Sequence, residues 1–308
     1  MTSVRILLFG ATGQLGWELQ RALAPLGEVV ALHSHSQEFQ ADFVQPERLA
    51  QIVRALQPHV IVNAAAHTDV DGAEMRPELA LCINATAPAV LAREAKALDA
   101  WLLHYSTDYV FDGSGTKPWS EDAPTAPVNR YGCSKLDGER LIRTSGVRHL
   151  IVRSSWLHSA RRRNFAKTVL RLATSQTSLS VVDDQIGAPT GADLLADVSA
   201  HVLRVALRRP EVSGTYHATA SGETSWHAYA CHVIDFARRH RPDWNWSLTA
   251  DAIAAVSSSQ SGSIAARPLN SRLDTQRLRD TFGLVLPHWR TGVERTLVQL
   301  LAADGHRD

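Results

Sequence analysis

Cysteine and long apolar runs are scarce in this 308-residue chain, and each scarcity excludes something. The three cysteines, Cys82, Cys133 and Cys231, are widely spaced and odd in number. They supply neither a disulfide framework nor a zinc site, and they suit a reducing compartment. The opening "MTSVRILLFG" has a short apolar run that breaks at Gly10 without a cleavage-like region, so it reads as a buried strand and not a signal peptide. No apolar stretch reaches the length of a membrane span. An excess of charge is missing too: 32 basic against 31 acidic residues leave a net charge of +1, which argues against a nucleic-acid binder. With 44% hydrophobic and 20% charged residues, what remains is a globular, cytoplasmic protein with a large core, built as one large domain or two intimately packed ones.

Apolar runs alternate with helical patterns through the first half. Strands are expected at 4–10, 28–32, 60–66, 100–107 and 149–156. Helices are expected at 16–27, at 46–59 behind Pro46, from Pro77 to about Ala100, and around Tyr131 and Lys135. Short continuous apolar strands between amphipathic helices indicate a parallel sheet covered on both faces, a Rossmann-like doubly wound α/β fold. The second half is less regular, with helical patterns at 164–175, 192–208 and 225–240 and strands at 178–182 and 214–218. The small, polar stretch 254–268 reads as a mobile loop. The expected division is a dinucleotide-binding domain over 1–156, to which later segments return, and a smaller substrate-binding lobe over 157–308. There is no internal repeat.

"LLFGATGQLG" sets Gly10, Gly13 and Gly16 between a strand and a helix. The first glycine permits the turn and the second lets backbone approach a pyrophosphate. The third lets the helix pack on the strand, with its positive end toward the phosphates. An acidic residue usually ends the second strand and holds the ribose 2′-hydroxyl; here stand His33, Ser34 and His35. No carboxylate repels a 2′-phosphate there and Ser34 can donate to one, which makes NADPH acceptable beside NADH. A metal site at His33 and His35 lacks further ligands. Asp42 falls where a third strand's end meets the adenine amino group, and the small residues of "NAAAHT" let a cofactor lie against the backbone.

In "YGCSK", Tyr131 and Lys135 are spaced i, i+4, on one face of a helix. The ammonium is expected to acidify the phenol, which can then pass a proton to an alkoxide. Thr107 and Asp108 close a strand in "HYSTDYVFDG", where ligands bind in such sheets. A hydroxyl, a phenol and an ammonium behind a glycine-rich nucleotide loop make a site for hydride transfer between carbonyl and alcohol.

At these residues the chain resembles the extended short-chain dehydrogenase/reductase superfamily and, within it, the dTDP-4-dehydrorhamnose reductases. "GATGQLGWELQ", "VIVNAAAHTDVDGAE", "STDYVFDG", "YGCSKLDGE", "RSSW", "NFAKT", "DDQIGAPTGADLLAD", "YHATASGETSW" and "RPLNSRLDT" carry the likeness, from Ile6 to about Arg295. The resemblance implies reduction of the C4 ketone of a dTDP-sugar, the last step in making dTDP-L-rhamnose for polysaccharides, with hydride from the B face of the nicotinamide. It implies Tyr131 as proton donor, Lys135 as the residue that lowers its pKa and holds the nicotinamide ribose, and Thr107 as the hydroxyl that adjusts the transfer. Gly13, Gln14, Leu15, Asp42, Phe43, Ala66, His67, Thr68 and Tyr105 would surround the dinucleotide. Thr107, Asp108 and Trp156 would touch the sugar nucleotide, and Arg267, closing the polar loop, its phosphates. Arg161, Arg162 and Arg163 read first as a solvated run, while His217, His227, Trp226 and Trp289 read as structural. Some members hold Mg2+ at a homodimer interface; Asp193 is a shorter acid here and Gln299 replaces a carboxylate, which speaks against that metal. Two rivals remain. A 4,6-dehydratase would want a Glu after Asp108, where Tyr109 stands, and a non-catalytic NADP-binding regulatory subunit would usually have lost Tyr131 or Lys135.

Overall fold

The computed structural model describes residues 4–260 and 262–303. Its frame is a six-stranded parallel sheet. The strands β1 (Arg5–Phe9), β2 (Glu28–Leu32), β3 (Val60–Asn63), β4 (Trp101–Thr107) and β5 (His149–Ser154) are joined by a late edge strand, Gly214–His217. The spatial order runs from that edge strand through β5, β4, β3 and β1 to β2, with every pair parallel. The helices are α1 (Gln14–Leu23), α2 (Pro46–Leu56), α3 (Val70–Met75), α4 (Pro77–Leu81), α5 (Ala87–Ala97) and α6 (Arg130–Ser145), then α7 (Phe165–Ala173), α8 (Ala192–Ala206), α9 (Trp226–His240), α10 (Gln276–Phe282) and α11 (Trp289–Ala303). Among the described residues no helix is long and apolar enough to cross a membrane.

Both faces of the sheet are covered because alternate residues of each strand are apolar on both sides. Ile6, Leu8, Val60, Val62, Leu103 and Val152 meet α1 and α8 through Leu19, Leu23, Leu195 and Val202. Leu7, Phe9, Ile61, Leu102 and Ile151 point the other way, onto Leu49 and Val53 of α2, Leu91 of α5 and Ile142 of α6. Helix α8 thus returns from the second half to seal the first. A separate core gathers α7, α9 and α11 around Val169, Tyr229, Val233, Trp289 and Val293, the smaller lobe.

Three expectations meet corrections. The stretch from Pro77 is not one helix: a π-helical turn, Cys82–Thr86, separates α4 from α5. Pro88 has no N–H to give the Asn84 carbonyl four residues earlier, so the ladder widens there. Strand β3 ends at Asn63, three residues early, since Gly10 approaches Ala64 and Ala65 so closely that a Cβ on it would lie 2.6 Å from the Ala65 nitrogen. The stretch 254–268 begins as strand, Ile253–Val256, because it pairs in parallel with Leu179–Val182; Ser261 within it lies outside the described residues. The short helix α3, capped by the Asp69 carboxylate on the Gly72 N–H at 3.0 Å, has no counterpart in the sequence reading.

The Asn84 carbonyl that Pro88 leaves free faces helix α6, where a Cβ on Gly138 would lie 2.1 Å from it. Gly138→Ala should therefore lower the melting temperature, although alanine is the better helix former by about 1 kcal/mol. Overpacking against backbone costs about 1–3 kcal/mol, which outweighs the gain. Thermal unfolding of the variant checks the sign.

Candidate active site

The glycine turn leaves a helix end ready for an anion. Gly10 takes φ +84° and Gly13 is the N-cap of α1, with no side-chain cap and no acid in the first turn, so the first N–H groups are left for a ligand. A Cβ on Gly16 would strike the Gly10 oxygen at 2.0 Å, so this glycine serves packing, whereas one on Gly13 would meet only that oxygen, at 3.3 Å. Leu15 is buried beneath α1. The Gln14 amide oxygen accepts from the Ser159 hydroxyl and the Asn164 amide, both at 3.0 Å, which ties the loop after β5 to the glycine turn. The basic run lands here as well: Arg162 donates to the Thr12 carbonyl at 2.8 Å, and Arg161 stacks on Trp17 at 3.4 Å.

Beyond β2, the His33 backbone is held by the Ser36 hydroxyl, its Nδ1 accepts from the His35 N–H at 3.1 Å, and Ser34 is exposed. Asp42 does not end a strand, as the sequence suggested. It sits in the loop between β2 and α2, where its carboxylate caps the Val44 N–H. Phe43 is buried edge-on against Phe9, 5.7 Å between ring centres. Ala66, His67 and Thr68 form the turn after β3. Asn84, from the π-helical turn, accepts from the His67 N–H at 2.8 Å, donates to the His67 carbonyl at 3.0 Å, and donates to the Ser134 hydroxyl at 3.0 Å. His67 Nδ1 is buried without a protein partner. The Tyr105 ring turns away, into the core, and donates to the Ser199 hydroxyl at 2.7 Å.

The reacting groups sit where α6 starts over the end of β4. Asn129 caps α6 through the Gly132 N–H at 2.7 Å, and Gly132 is seated so closely on the Tyr109 carbonyl that a Cβ would lie 2.2 Å from it. Lys135, 2% exposed, donates to the Tyr105 carbonyl at 2.6 Å. Burial pushes this ammonium down to about 8, against the support of Glu139 one turn further along. Tyr131 is half-buried, and the Thr107 hydroxyl is near enough to favour its ionised form. The expected acidification by Lys135 does not appear. Burial pushes the phenol up to about 12, opposed by Thr107, while the lysine is turned onto a backbone carbonyl. Thr107 Oγ1 also accepts from the Tyr109 N–H at 3.2 Å and donates to Asp108 at 3.1 Å. Tyr109 stands edge-on to Tyr131 at 5.5 Å.

Arg267 is paired in bidentate fashion with Asp71, at 3.0 and 3.1 Å, and Asp71 also accepts from the Ala265 N–H. These bonds hold the Asp71 carboxyl below its usual range, Arg267 foremost. A cleft of about 410 Å³ opens beside them, lined by Gln185, Ser258, Ser263 and Arg267. Trp156 takes φ +49° and stacks face to face on Trp226 at 3.7 Å, in the aromatic stack of the smaller lobe. Asp193 is paired with Arg295 at 3.4 Å, and Gln299 is exposed on the same helix. Among the described residues no three His, Cys, Asp or Glu side chains gather as metal ligands.

The sequence reading missed Asn84, Asp71, Ser134 and Glu139. Glu139, fully buried, receives Arg153 at 2.7 and 2.8 Å and Arg143 at 2.9 Å. Burial alone would raise its carboxyl, yet Arg153 keeps it low. A glutamate two turns after Tyr131 on the same face was the available signal, as was an asparagine inside the apolar "INATAP". The unfilled α1 terminus, the open side of Gly13, the orphaned His67 Nδ1 and the Lys135 ammonium together fit a nicotinamide dinucleotide lying across the carboxyl ends of β1, β3 and β4.

A family model described as "RmlD substrate binding domain" matches residues 4–302. The dTDP-4-dehydrorhamnose reductase of Salmonella typhimurium is 51% identical over 96% of this chain and 98% of its own. That of Escherichia coli K12 is 50% identical over the same shares. A crystal structure of dTDP-4-dehydrorhamnose reductase from Bacillus anthracis in complex with NADP superposes with a TM-score of 0.85 and 33% identity, over 97% of this chain and all of that one.

Asn84→Ala leaves both His67 backbone groups and the Ser134 hydroxyl short of a partner. A loss of about 1–3 kcal/mol in stability and weaker dinucleotide binding are expected. Thermal unfolding and a titration of NADPH fluorescence measure the two together.

Proposed function

We propose, since the chain belongs to the dTDP-4-dehydrorhamnose reductase family, that it reduces the C4 ketone of dTDP-4-dehydro-L-rhamnose to dTDP-L-rhamnose, the last step in making that sugar donor. One observation carries the reading: a phenol, a threonine hydroxyl and a buried ammonium converge at the end of β4, on the side of the sheet where the glycine turn leaves a helix end open.

The dinucleotide, when bound, supplies the hydride. As the ketone oxygen gains negative charge, the Tyr131 O–H gives it a proton, and the Tyr131 oxygen is left as phenolate. That oxygen is poorly placed to carry charge in the free protein, with its pKa pushed up to about 12, so it holds its proton until an acceptor arrives. Lys135 is one helical turn away; it keeps an N–H on the Tyr105 carbonyl and has others for ribose hydroxyls and for stabilising the phenolate. Thr107 steadies the Tyr131 oxygen. Asp108, Trp156 and Arg267 are assigned to the sugar nucleotide. Arg267 would leave or share Asp71 to meet a phosphate, for which its planar fork is suited.

NADPH is the favoured hydride donor, with NADH accepted. The turn after β2 offers His33, Ser34 and His35 and no carboxylate, and the Bacillus anthracis relative was crystallised with NADP. The enzyme works in the cytoplasm on a free nucleotide sugar, with no nucleic acid or membrane partner; a homodimer would not need a metal, given the Asp193–Arg295 pair.

Tyr131→Phe tests the assignment. Reduction should fall by about 10²–10⁴-fold, as for loss of a general acid, while NADPH binds within about twofold of the wild-type Kd. Near-normal turnover by the variant would remove Tyr131 from the mechanism.

A further inference from the structure

The basic run at 161–163 reads from the sequence as solvated, yet two of its three arginines are seated on the glycine turn. Arg162 Nε donates to the Thr12 carbonyl at 2.8 Å, and the Arg161 guanidinium lies 3.4 Å from the centre of the Trp17 ring on α1. The Ser159 hydroxyl and the Asn164 amide fasten the same segment to the Gln14 amide oxygen, both at 3.0 Å. Asn164 also donates to the Ser159 carbonyl at 2.7 Å and caps α7 through the Lys167 N–H at 3.2 Å. The segment 159–164 is thus closed on itself and gripped at Thr12, Gln14 and Trp17, all on the turn or the first turns of α1. Side chains that were merely solvated would not be drawn there.

The charge along this seam is unbalanced. Residues 10–17 and 159–167 hold Arg161, Arg162, Arg163 and Lys167 and no carboxylate. Glu18, next along α1, is paired with Arg21 at 3.5 Å. Elsewhere arginines meet acids, as Arg5 meets Glu28, Arg54 meets Glu94 and Arg272 meets Glu223. Arg162 spends only Nε on Thr12, so among the described residues its two Nη groups have no partner, and exposed Arg163 has none at all. The α1 terminus adds its own partial positive charge, with no acid in the first turn. Like charges gathered this way repel, and an anion among them relieves the repulsion. Of the anionic groups of a dinucleotide, the pyrophosphate is the one a glycine turn receives. A 2′-phosphate belongs to the turn after β2, at Ser34.

We propose that the segment 159–164 is a strap that binds the pyrophosphate of the dinucleotide, with the Nη groups of Arg162 as its donors and Arg163 as a supporting charge. This rests on the dinucleotide site of the reading above and extends that site to the loop that leads into the smaller lobe.

The test titrates NADPH and, separately, NADH by fluorescence against wild type, Arg162→Ala, Arg162→Lys and Arg163→Ala, at about 0.05 M and about 0.5 M salt. Thermal unfolding establishes that each variant is folded. Arg162→Ala should weaken both dinucleotides alike, by about 10–100-fold at low salt, as for loss of a charge-assisted hydrogen bond. Arg162→Lys should recover only part of this, since an ammonium cannot hold Thr12 and also fork onto a phosphate. Arg163→Ala breaks no contact within the protein, so it tests the charge even if Arg162→Ala is unstable. It should cost about threefold at low salt and nothing measurable at high salt. A loss confined to NADPH would move the guanidinium to the 2′-phosphate and overturn the proposal. A raised KM for the sugar nucleotide with dinucleotide affinity intact would do the same, by moving it to the substrate's diphosphate. An equal loss at both salts would leave Arg162 only a structural role, which also overturns it. Tight wild-type binding that no variant changes sinks this inference alone; a wild type that binds neither dinucleotide sinks the cofactor reading with it.

Discussion

The ammonium of Lys135, buried at the foot of α6 and anchored on the Tyr105 carbonyl, is the constraint around which this molecule is arranged. A cation 2% exposed is expensive unless charge and hydrogen bonds offset it. Glu139, one turn further along, offsets part of the burial, but a second buried charge needs partners of its own. Arg153 of β5 and Arg143 of α6 supply them. Arg153 in turn lies over Phe111 at 5.2 Å and reaches His217 on the edge strand at 3.4 Å. The network therefore fastens α6 to β5 and to the strand Gly214–His217. That gives the second half of the chain a structural reason to return to the sheet.

The same demand fixes where α6 can lie. To bring Lys135 to the end of β4, the helix must come close to the helix pair before it, and two glycines permit this. Gly132 rests on the Tyr109 carbonyl and Gly138 on the Asn84 carbonyl. Asn84 is presented by a π-helical turn, and its side chain spans the turn after β3 and Ser134. One residue thus couples the cofactor-facing turn to the helix that carries Tyr131. Asp71 and Arg267 add a clasp from the far end of the chain, 196 positions apart in sequence.

How much of this was legible in the sequence follows from which features are periodic and local. The strands of the sheet and the glycine turn were legible, because continuous apolar runs between amphipathic helices leave few other arrangements. Tyr131, Lys135 and Thr107 were placed together because a helix spacing and a strand end each predict a position. The spacing gave the face but not the direction of the lysine, which turned onto a carbonyl and left Tyr131 less acidic than expected. The π-helical turn was hidden because apolar periodicity continues through Cys82–Thr86, and only Pro88 marks the break. The strand Ile253–Val256 was hidden because its partner, Leu179–Val182, is distant and its own residues are small. Asp71, Glu139 and Asn84 act through partners that no local pattern names.

The account stands on hydride reaching a sugar carbon while Tyr131 supplies the proton. The most direct test uses NADPH deuterated on the B face of its nicotinamide, incubated with enzyme and dTDP-4-dehydro-L-rhamnose, followed by analysis of the sugar product. Transfer of a single deuterium to C4 of dTDP-L-rhamnose is the predicted result. An unlabelled sugar, or label at any other carbon, would contradict it.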